Sequence, residues 1–359
     1  MVERADVVLI GGGPAGLSAA GALKRLGHDA VVLERDPHVG ARWESRYDRL
    51  HLHTVRSFSG LAHVPIPRAY GRYPSKDAYA QYLRDYVAEL GLDVRTGVDV
   101  TGVRPCCGRW ELEAAGTTWC ARAVVLATGR YDEPVLPEWA GRSDYRGRLL
   151  HSAEYRNPGE FAGRSVLVVG LGNSGAEIAG DLAHDGVASV TVAVRTPPPI
   201  TPRDVLGVPI HLFGLALAGF PPAAVDRAGA VMRRVRVGDL RKYGLGNPAW
   251  GPFVFKRPPV IDVGFLDALI RGRIRVRPAV TRLTPTGAVF ADGTEEPFDA
   301  VVAATGYRTA ELADASAPGV FRIGYRESVR GALFEINRDS RTLAREIATY
   351  LERPAPTLS

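Results

Sequence analysis

The sequence predicts an α/β fold built from two doubly wound units, the second inserted into the first. Three observations predict it: two strand, glycine-loop, helix segments; two apolar strands that each end in Ala-Thr-Gly; and a set of short alternating strands ahead of each Ala-Thr-Gly. At 359 residues the chain exceeds the usual size of one hydrophobic core, which also points to two units.

The first segment runs from the apolar stretch Ala5–Ile10 through Gly11-Gly12-Gly13-Pro14-Ala15-Gly16 into a helix-spaced run that stops at Gly27. In such a loop Gly11 permits a tight turn, Gly13 lets the backbone approach a pyrophosphate, and Gly16 allows the helix to pack closely on the strand. An anion then sits at the helix N-terminus, where free N–H groups and the positive dipole end favour it. A glycine turn alone is weak evidence. Here a second strand, Ala30–Leu33, ends in Glu34, at the separation expected of a carboxylate that accepts hydrogen bonds from ribose hydroxyls.

The same pattern returns at Ser165–Val169, Gly170-Leu171-Gly172-Asn173-Ser174-Gly175 and a helix ending at Gly186. Its following strand, Ser189–Val194, reaches Arg195 in the slot that Glu34 holds in the first segment. A carboxylate in that slot repels a ribose 2'-phosphate, whereas a guanidinium pairs with it bidentately. The first loop therefore suits FAD or NAD and the second NADPH; a solvated surface arginine is the plainer account of Arg195.

Ala123–Gly129 and Ala300–Gly306 both read as buried strands ending in Ala-Thr-Gly, small residues that permit close approach of a cofactor or another backbone, or that make a plain strand-to-loop turn; Thr128, Gly129, Thr305 and Gly306, with Tyr307 beside them, are on that ground candidates for cofactor binding. Short strands between Val98 and Ala121, and again before the second Ala-Thr-Gly, read as meanders. The expected organisation is two Rossmann-like dinucleotide-binding domains, with residues 1–158 and 296–359 forming the first and 159–295 the second, which carries an apolar insertion at about 200–250. The stretch around Asp339–Ala348 reads as a capped amphipathic helix whose N-terminus faces an anionic group, or as a plain surface helix.

Composition narrows the classes. A formal charge of +6 is spread along the chain without a basic, aromatic-interleaved stripe, so nucleic acid is not an expected partner. The apolar segment Val205–Pro222 holds Pro209, His211 and three glycines and ends in two prolines; a lid or core insertion fits it better than a spanning helix. Met1-Val-Glu-Arg-Ala-Asp runs directly into a strand-like stretch with no signal-peptide pattern, so the cytoplasm is the expected location. The three cysteines, Cys106, Cys107 and Cys120, form neither a CxxC nor a CxxxxC pair, which speaks against a flavin disulfide reductase; no metal-ligand spacing is present.

Between the two loops stands Tyr145-Arg-Gly-Arg-Leu-Leu-His151-Ser-Ala-Glu-Tyr155-Arg156, which resembles the FxGxxxHxxx(Y/F)(K/R) fingerprint of flavin-containing monooxygenases, with Tyr for the leading Phe. Together with GGGPAG, GLGNSG and ATGY at 304–307, the resemblance covers nearly the whole chain. The stretches RYDRLHLHT, GRYPSKDAYAQYL, VLVVGLGNSGAEIAGDL and PPVIDVGFLDALIRGRIRV are similar to the plant group that forms auxin by oxidative decarboxylation of indole-3-pyruvate. The resemblance implies FAD in the larger domain, NADPH in the smaller, and a peroxide at the flavin C4a atom that oxygenates nitrogen, sulfur or the carbonyl of a 2-oxo acid. It places Arg35, Arg42, Trp43, His53 and His151 with the cofactors and makes Asn173 and His53 the candidates for catalysis. The partners it implies are O2 and a small-molecule substrate; a homodimer stays open. Tyr155 stands where Baeyer-Villiger enzymes carry Trp, and the segment 322–340 follows the family only loosely. An NADPH oxidase that releases peroxide and an idle nucleotide-binding protein are the competing readings.

Overall fold

Strand β1 (Val2–Ile10) leads through the first glycine loop into helix α1 (Pro14–Arg25) and returns as β2 (Val31–Glu34) in the computed structural model, which describes residues 2–353 apart from 115, 185, 218, 310 and 311. Val7 to Ile10 are all buried, as a strand covered on both faces requires. Helix α2 (Lys76–Leu90) starts at Ser75, whose side chain accepts from the Ala78 N–H, and stops at a left-handed Gly91. β3 (Asp93–Thr96), β4 (Val100–Cys106), β5 (Arg109–Ala114) and β6 (Thr117–Leu126) follow. The sheet order is β3-β2-β1-β6-β5-β4, parallel from β3 to β6 and antiparallel through the meander β4-β5-β6.

The second sheet starts with β7 (Arg148–His151) and β8 (Ser165–Val169), followed by helix α3 (Asn173–Leu182) and β9 (Ser189–Ala193). An insertion then carries β10 (Ile200–Pro202), α4 (Ile210–Ala216), α5 (Pro222–Val237) and β11 (Val260–Asp262). The sheet resumes with α6 (Phe265–Ile270), β12 (Ile274–Arg277), the meander β13 (Val280–Thr284), β14 (Gly287–Phe290), β15 (Glu295–Pro297), and finally β16 (Ala300–Ala303). Its order is β12-β9-β8-β16-β7, all parallel, so β12-β9-β8-β16 repeats the order β3-β2-β1-β6. The chain then returns to the first sheet: β17 (Val320–Arg322) pairs with Val124–Leu126 of β6, and α7 (Ala332–Glu352) lies on α1, with the buried Ser18 and Ser340 hydroxyls 2.9 Å apart.

Three expectations shift. β7 and β16 hydrogen-bond into the second sheet, so both expected boundaries, after 158 and before 296, fall inside its span rather than at its edges. Residues 1 and 354–359 of the expected first domain lie outside the described residues. The last helix begins at Ala332 with Gly331 as its N-cap, which puts Asp339 in mid-helix; the cap signal was a local coincidence overridden by a longer amphipathic pattern. Residues 205–222 form no single helix: a hairpin pairs Asp204-Val205 with Val208-Pro209, α4 follows, and Pro222 opens α5. Among the described residues no helix is long and apolar enough to cross a membrane.

Helix α3 joins the two sheets. Its buried Glu177 accepts from the His53 ring Nε2 and from the Tyr47 hydroxyl. One turn on, Asp181 accepts from the Tyr155 hydroxyl at 2.8 Å and from Arg49 at 3.3 Å. Tyr47, Arg49 and His53 precede α2, so these are bonds between the first unit and the second. Asp181→Ala leaves Arg49 and Tyr155 short of an acceptor. It is expected to lower unfolding free energy by about 2–3 kcal/mol, below the range for a fully buried pair because Arg49 is partly solvated, as read from a denaturant midpoint.

The third glycine of each loop lies against the first. A Cβ on Gly16 would stand 1.9 Å from the Gly11 carbonyl oxygen, and one on Gly175 would stand 2.0 Å from that of Gly170. Gly175→Ala must therefore push α3 off its strand. It is expected to cost on the order of 1–3 kcal/mol and to broaden the unfolding transition, measured by far-UV circular dichroism during denaturant titration.

Candidate cofactor and substrate site

Each glycine loop closes in the same way. The Gly11 N–H donates to the Leu33 carbonyl at 2.8 Å and the Gly170 N–H to that of Ala193 at 2.9 Å. Gly11 and Gly170 have φ of +110° and +100°, a region that favours glycine, and their missing Cβ atoms clear the carbonyls of Ala127 and Ala304. Those alanines open the two Ala-Thr-Gly turns, so each turn abuts one loop.

The middle glycines differ. Gly13 and Gly172 have ordinary φ values of −79° and −86°, and a Cβ on either would meet nothing within 4 Å. Neither backbone strain nor packing against the chain demands glycine there. The space is open, at the uncapped N-termini of α1 and α3, with Pro14 in the first turn of α1 where a missing N–H costs nothing. Such an open, uncapped helix N-terminus has room and N–H groups for an anion.

The two second-strand residues are engaged differently. Glu34 accepts from the N–H groups of Gly12 and Asp36, one on each carboxylate oxygen, and each oxygen keeps a further lone pair. Arg195 is exposed and pairs with no carboxylate among the described residues. Arg35 pairs with the buried Asp132 just past the first Ala-Thr-Gly, and Arg42 lies 3.6 Å from Asp36. Arg35 thus fastens the end of β2 to that turn.

The second Ala-Thr-Gly turn is pinned from the fingerprint segment. His151 is buried; its Nδ1 accepts from the Ala153 N–H at 3.1 Å, so Nε2 carries the proton and donates to the Gly306 carbonyl at 3.0 Å. Burial holds its pKa below the usual histidine value, which keeps this neutral tautomer in place. The Tyr307 ring stands edge-on to His151 and its hydroxyl accepts from Arg46 at 2.6 Å. Thr305 donates to the Val135 carbonyl, and the Thr128 hydroxyl lies 2.7 Å from that of Tyr325. His151 is therefore a structural pin of the second Ala-Thr-Gly turn.

Between the units lies a cavity of about 900 Å³. Trp43, His53, Arg130 and Tyr131 line it from the first unit, and Asn173 from α3. The insertion closes it with Ile200, Val205, Ile210, Phe213, Leu217 and Val225, among others. Trp43 is held edge-on against the buried Tyr79, with ring centroids 4.6 Å apart. The Asn173 side-chain oxygen accepts from the Ile261 N–H at 2.8 Å, so that side chain ties the second loop to the cavity wall. Ser174 is half-buried in the same turn. Of the expected site residues, Trp43, His53 and Asn173 meet at this cavity; Glu34 and Arg195 stand at separate loops. Sequence reasoning missed Glu177 and Asp181. Glu177 and Asp181 carried a signal, being two acids four residues apart on a helix otherwise built of small and apolar residues.

Cys106 and Cys107 sit at the β4–β5 turn, where their sulfur atoms are 3.7 Å apart, and Cys120 is in β6; all three are free and none lines the cavity. Among the described residues no group of three or more His, Cys, Asp or Glu side chains is placed to hold a metal.

The family model described as pyridine nucleotide-disulphide oxidoreductase matches residues 8–204. An indole-3-pyruvate monooxygenase of Oryza sativa subsp. japonica is 37% identical over 342 residues, covering 90% of this chain and 84% of that one. An Arabidopsis thaliana indole-3-pyruvate monooxygenase is 36% identical over 84% of this chain and 76% of its own length. A flavin-containing monooxygenase from Stenotrophomonas maltophilia superposes with a TM-score of 0.75 at 29% identity, over 97% of this chain and 99% of that one. By its nucleotide-loop framework the chain belongs to the pyridine nucleotide-disulphide oxidoreductase family, and by nearly its whole length it belongs to the flavin-dependent monooxygenases.

Proposed function

We propose that the protein is an NADPH- and O2-dependent flavoprotein monooxygenase that converts an apolar 2-oxo acid to the acid one carbon shorter. The observation that carries this reading is an apolar cavity, placed between two diphosphate-ready loops, in a chain 37% identical to an indole-3-pyruvate monooxygenase. The reaction balances as 2-oxo acid, O2, NADPH and a proton giving the shortened acid, CO2, water and NADP+. One oxygen atom enters the product acid and the other becomes water.

In this reading the two units are Rossmann-like dinucleotide-binding domains. Gly11, Gly13, Pro14, Ala15 and Gly16 hold the FAD diphosphate at the N-terminus of α1, and Glu34 accepts from its ribose hydroxyls. Gly170, Gly172, Gly175 and Ser174 do the same for NADPH at α3, and Arg195 pairs with the 2'-phosphate. When bound, FAD supplies oxygen activation and NADPH the reducing electrons. Trp43 and Asn173 shape the cavity where the two units meet, and α4 and α5 exclude water from it. Glu177 holds Nε2 of His53 and so orients that ring in the cavity wall.

Oxygen labelling tests the reaction. Holoenzyme supplied with NADPH, an aromatic 2-oxo acid and 18O2 is expected to release the shortened acid carrying one 18O atom, with one NADPH consumed per CO2. NADPH consumption matched by hydrogen peroxide, with no labelled product from 2-oxo acids, would overturn the reading in favour of an oxidase.

Two substitutions test the loop assignments. Arg195→Ala is expected to raise KM for NADPH on the order of 10- to 100-fold, the worth of a charge-assisted hydrogen bond or two, while leaving KM for NADH unchanged. Gly13→Ala meets no protein atom, so it is expected to keep stability to within about 1 kcal/mol yet purify without flavin; equal flavin content in variant and parent would reject the first-loop assignment.

A further inference from the structure

The inserted helix α5 carries the observation. Its least exposed residues are Val225, Asp226, Arg233 and Val237, and helical spacing puts them on the side that faces the body of the protein. Arg233 lies there, partly buried, in the wall of an apolar cavity. A cation in such a place ordinarily has a carboxylate beside it. Among the described residues Arg233 has none.

The cavity's other charges are accounted for. Arg130 pairs with Glu327, and Arg326 lies within 3.9 Å of Glu335 and 3.7 Å of Asp339. Asp226 accepts from the N–H groups of Phe253 and Val254, and Asp239 pairs with Arg241. Arg227 and Arg234, on other sides of α5, are exposed to water. The acids that line the cavity are thus all engaged, and one partly buried cation is not.

A second polar group in the same wall is also unsatisfied. His211, on α4, is 5% exposed, and its Nε2 has no hydrogen-bond partner. Its ring is held edge-on by Phe58 at 5.5 Å. Burial pushes its pKa below the usual histidine value, so the ring is neutral and offers a hydrogen bond rather than a charge. An unpartnered guanidinium and an unpartnered imidazole, in walls otherwise built of Phe213, Leu217, Val225 and prolines, leave room for a ligand with an apolar body and an anionic, oxygen-bearing end.

We propose that Arg233 is the carboxylate anchor of the substrate cavity, so that the inserted helix selects apolar carboxylic acids over neutral compounds of the same shape. This rests on the monooxygenase reading above and adds to it the residue that makes an acid the preferred substrate. Arg233 binds and positions; it moves no proton or electron. The cavity admits the hydrophobic body by area, and the guanidinium fixes which end points at α5.

The test compares phenylpyruvate, its methyl ester and the neutral thioether thioanisole on FAD-loaded full-length enzyme. Arg233→Gln is expected to raise KM for phenylpyruvate tenfold or more, with flavin content, KM for NADPH and the kinetics on the ester and thioether unchanged. Arg233→Lys, which restores a charge without the fork, should recover part of the loss. Equilibrium dialysis of phenylpyruvate against each holoenzyme gives a second readout that does not depend on turnover. If phenylpyruvate binds the parent and not Arg233→Gln, yet neither enzyme decarboxylates it, the anchor stands and the decarboxylation reading fails. Equal phenylpyruvate affinity in parent and Arg233→Gln overturns the anchor and leaves the reading intact. A loss confined to NADPH overturns it in favour of a cofactor phosphate, and absence of phenylpyruvate binding to the parent overturns both.

Discussion

Two carboxylates on one helix hold the molecule's halves in register. Glu177 and Asp181 project from α3 one turn apart and reach four side chains, of which Tyr47, Arg49 and His53 come from the first unit and Tyr155 from the fingerprint segment. The same helix begins at the second glycine loop, so its uncapped N-terminus adjoins that loop while its middle is bonded to the opposite unit. Through Glu177 this helix links the second glycine loop to His53, in the wall of the cavity. Burying acids in this way is expensive unless each oxygen is matched. The matching partners are what give the interface its single geometry.

The two glycine loops were readable from sequence because glycine was required there for reasons local to the loop: a left-handed turn at Gly11 and Gly170, and contact with the preceding carbonyl at Gly16 and Gly175. Boundaries were less legible. Arg148–His151 and Ala300–Ala303 are both short apolar strands, and nothing in four residues states which of two similar sheets will accept them. Their membership is decided in both cases by pairing partners more than 100 residues away, which local pattern does not encode.

The cavity was the least legible part. Trp43, His53 and Asn173 could be named from the motifs that surround them, but Arg233 lies in the stretch expected as an apolar insertion, and half of its significance is that no carboxylate among the described residues stands beside it in space. His211 was visible as an oddity in an apolar stretch; only burial shows that its ring nitrogen lacks a partner. The final helix misled for the opposite reason. Asp339-Ser340 carries residues that favour helix starts, yet Ser340 is fully buried against Ser18 in the third turn of a longer helix.

The nesting of one sheet inside the other also orders events in time. Every strand of the second sheet lies between residues 148 and 303, so that unit has its full complement as soon as this stretch has left the ribosome. The first sheet has its six leading strands much earlier but waits for Val320–Arg322 to cover β6 and for α7 to cover α1. Until then the α1 face, with Ser18 and its neighbouring alanines, lies open. The unit begun first is thus finished last, and the C-terminal helix is the element whose late arrival closes the core during synthesis.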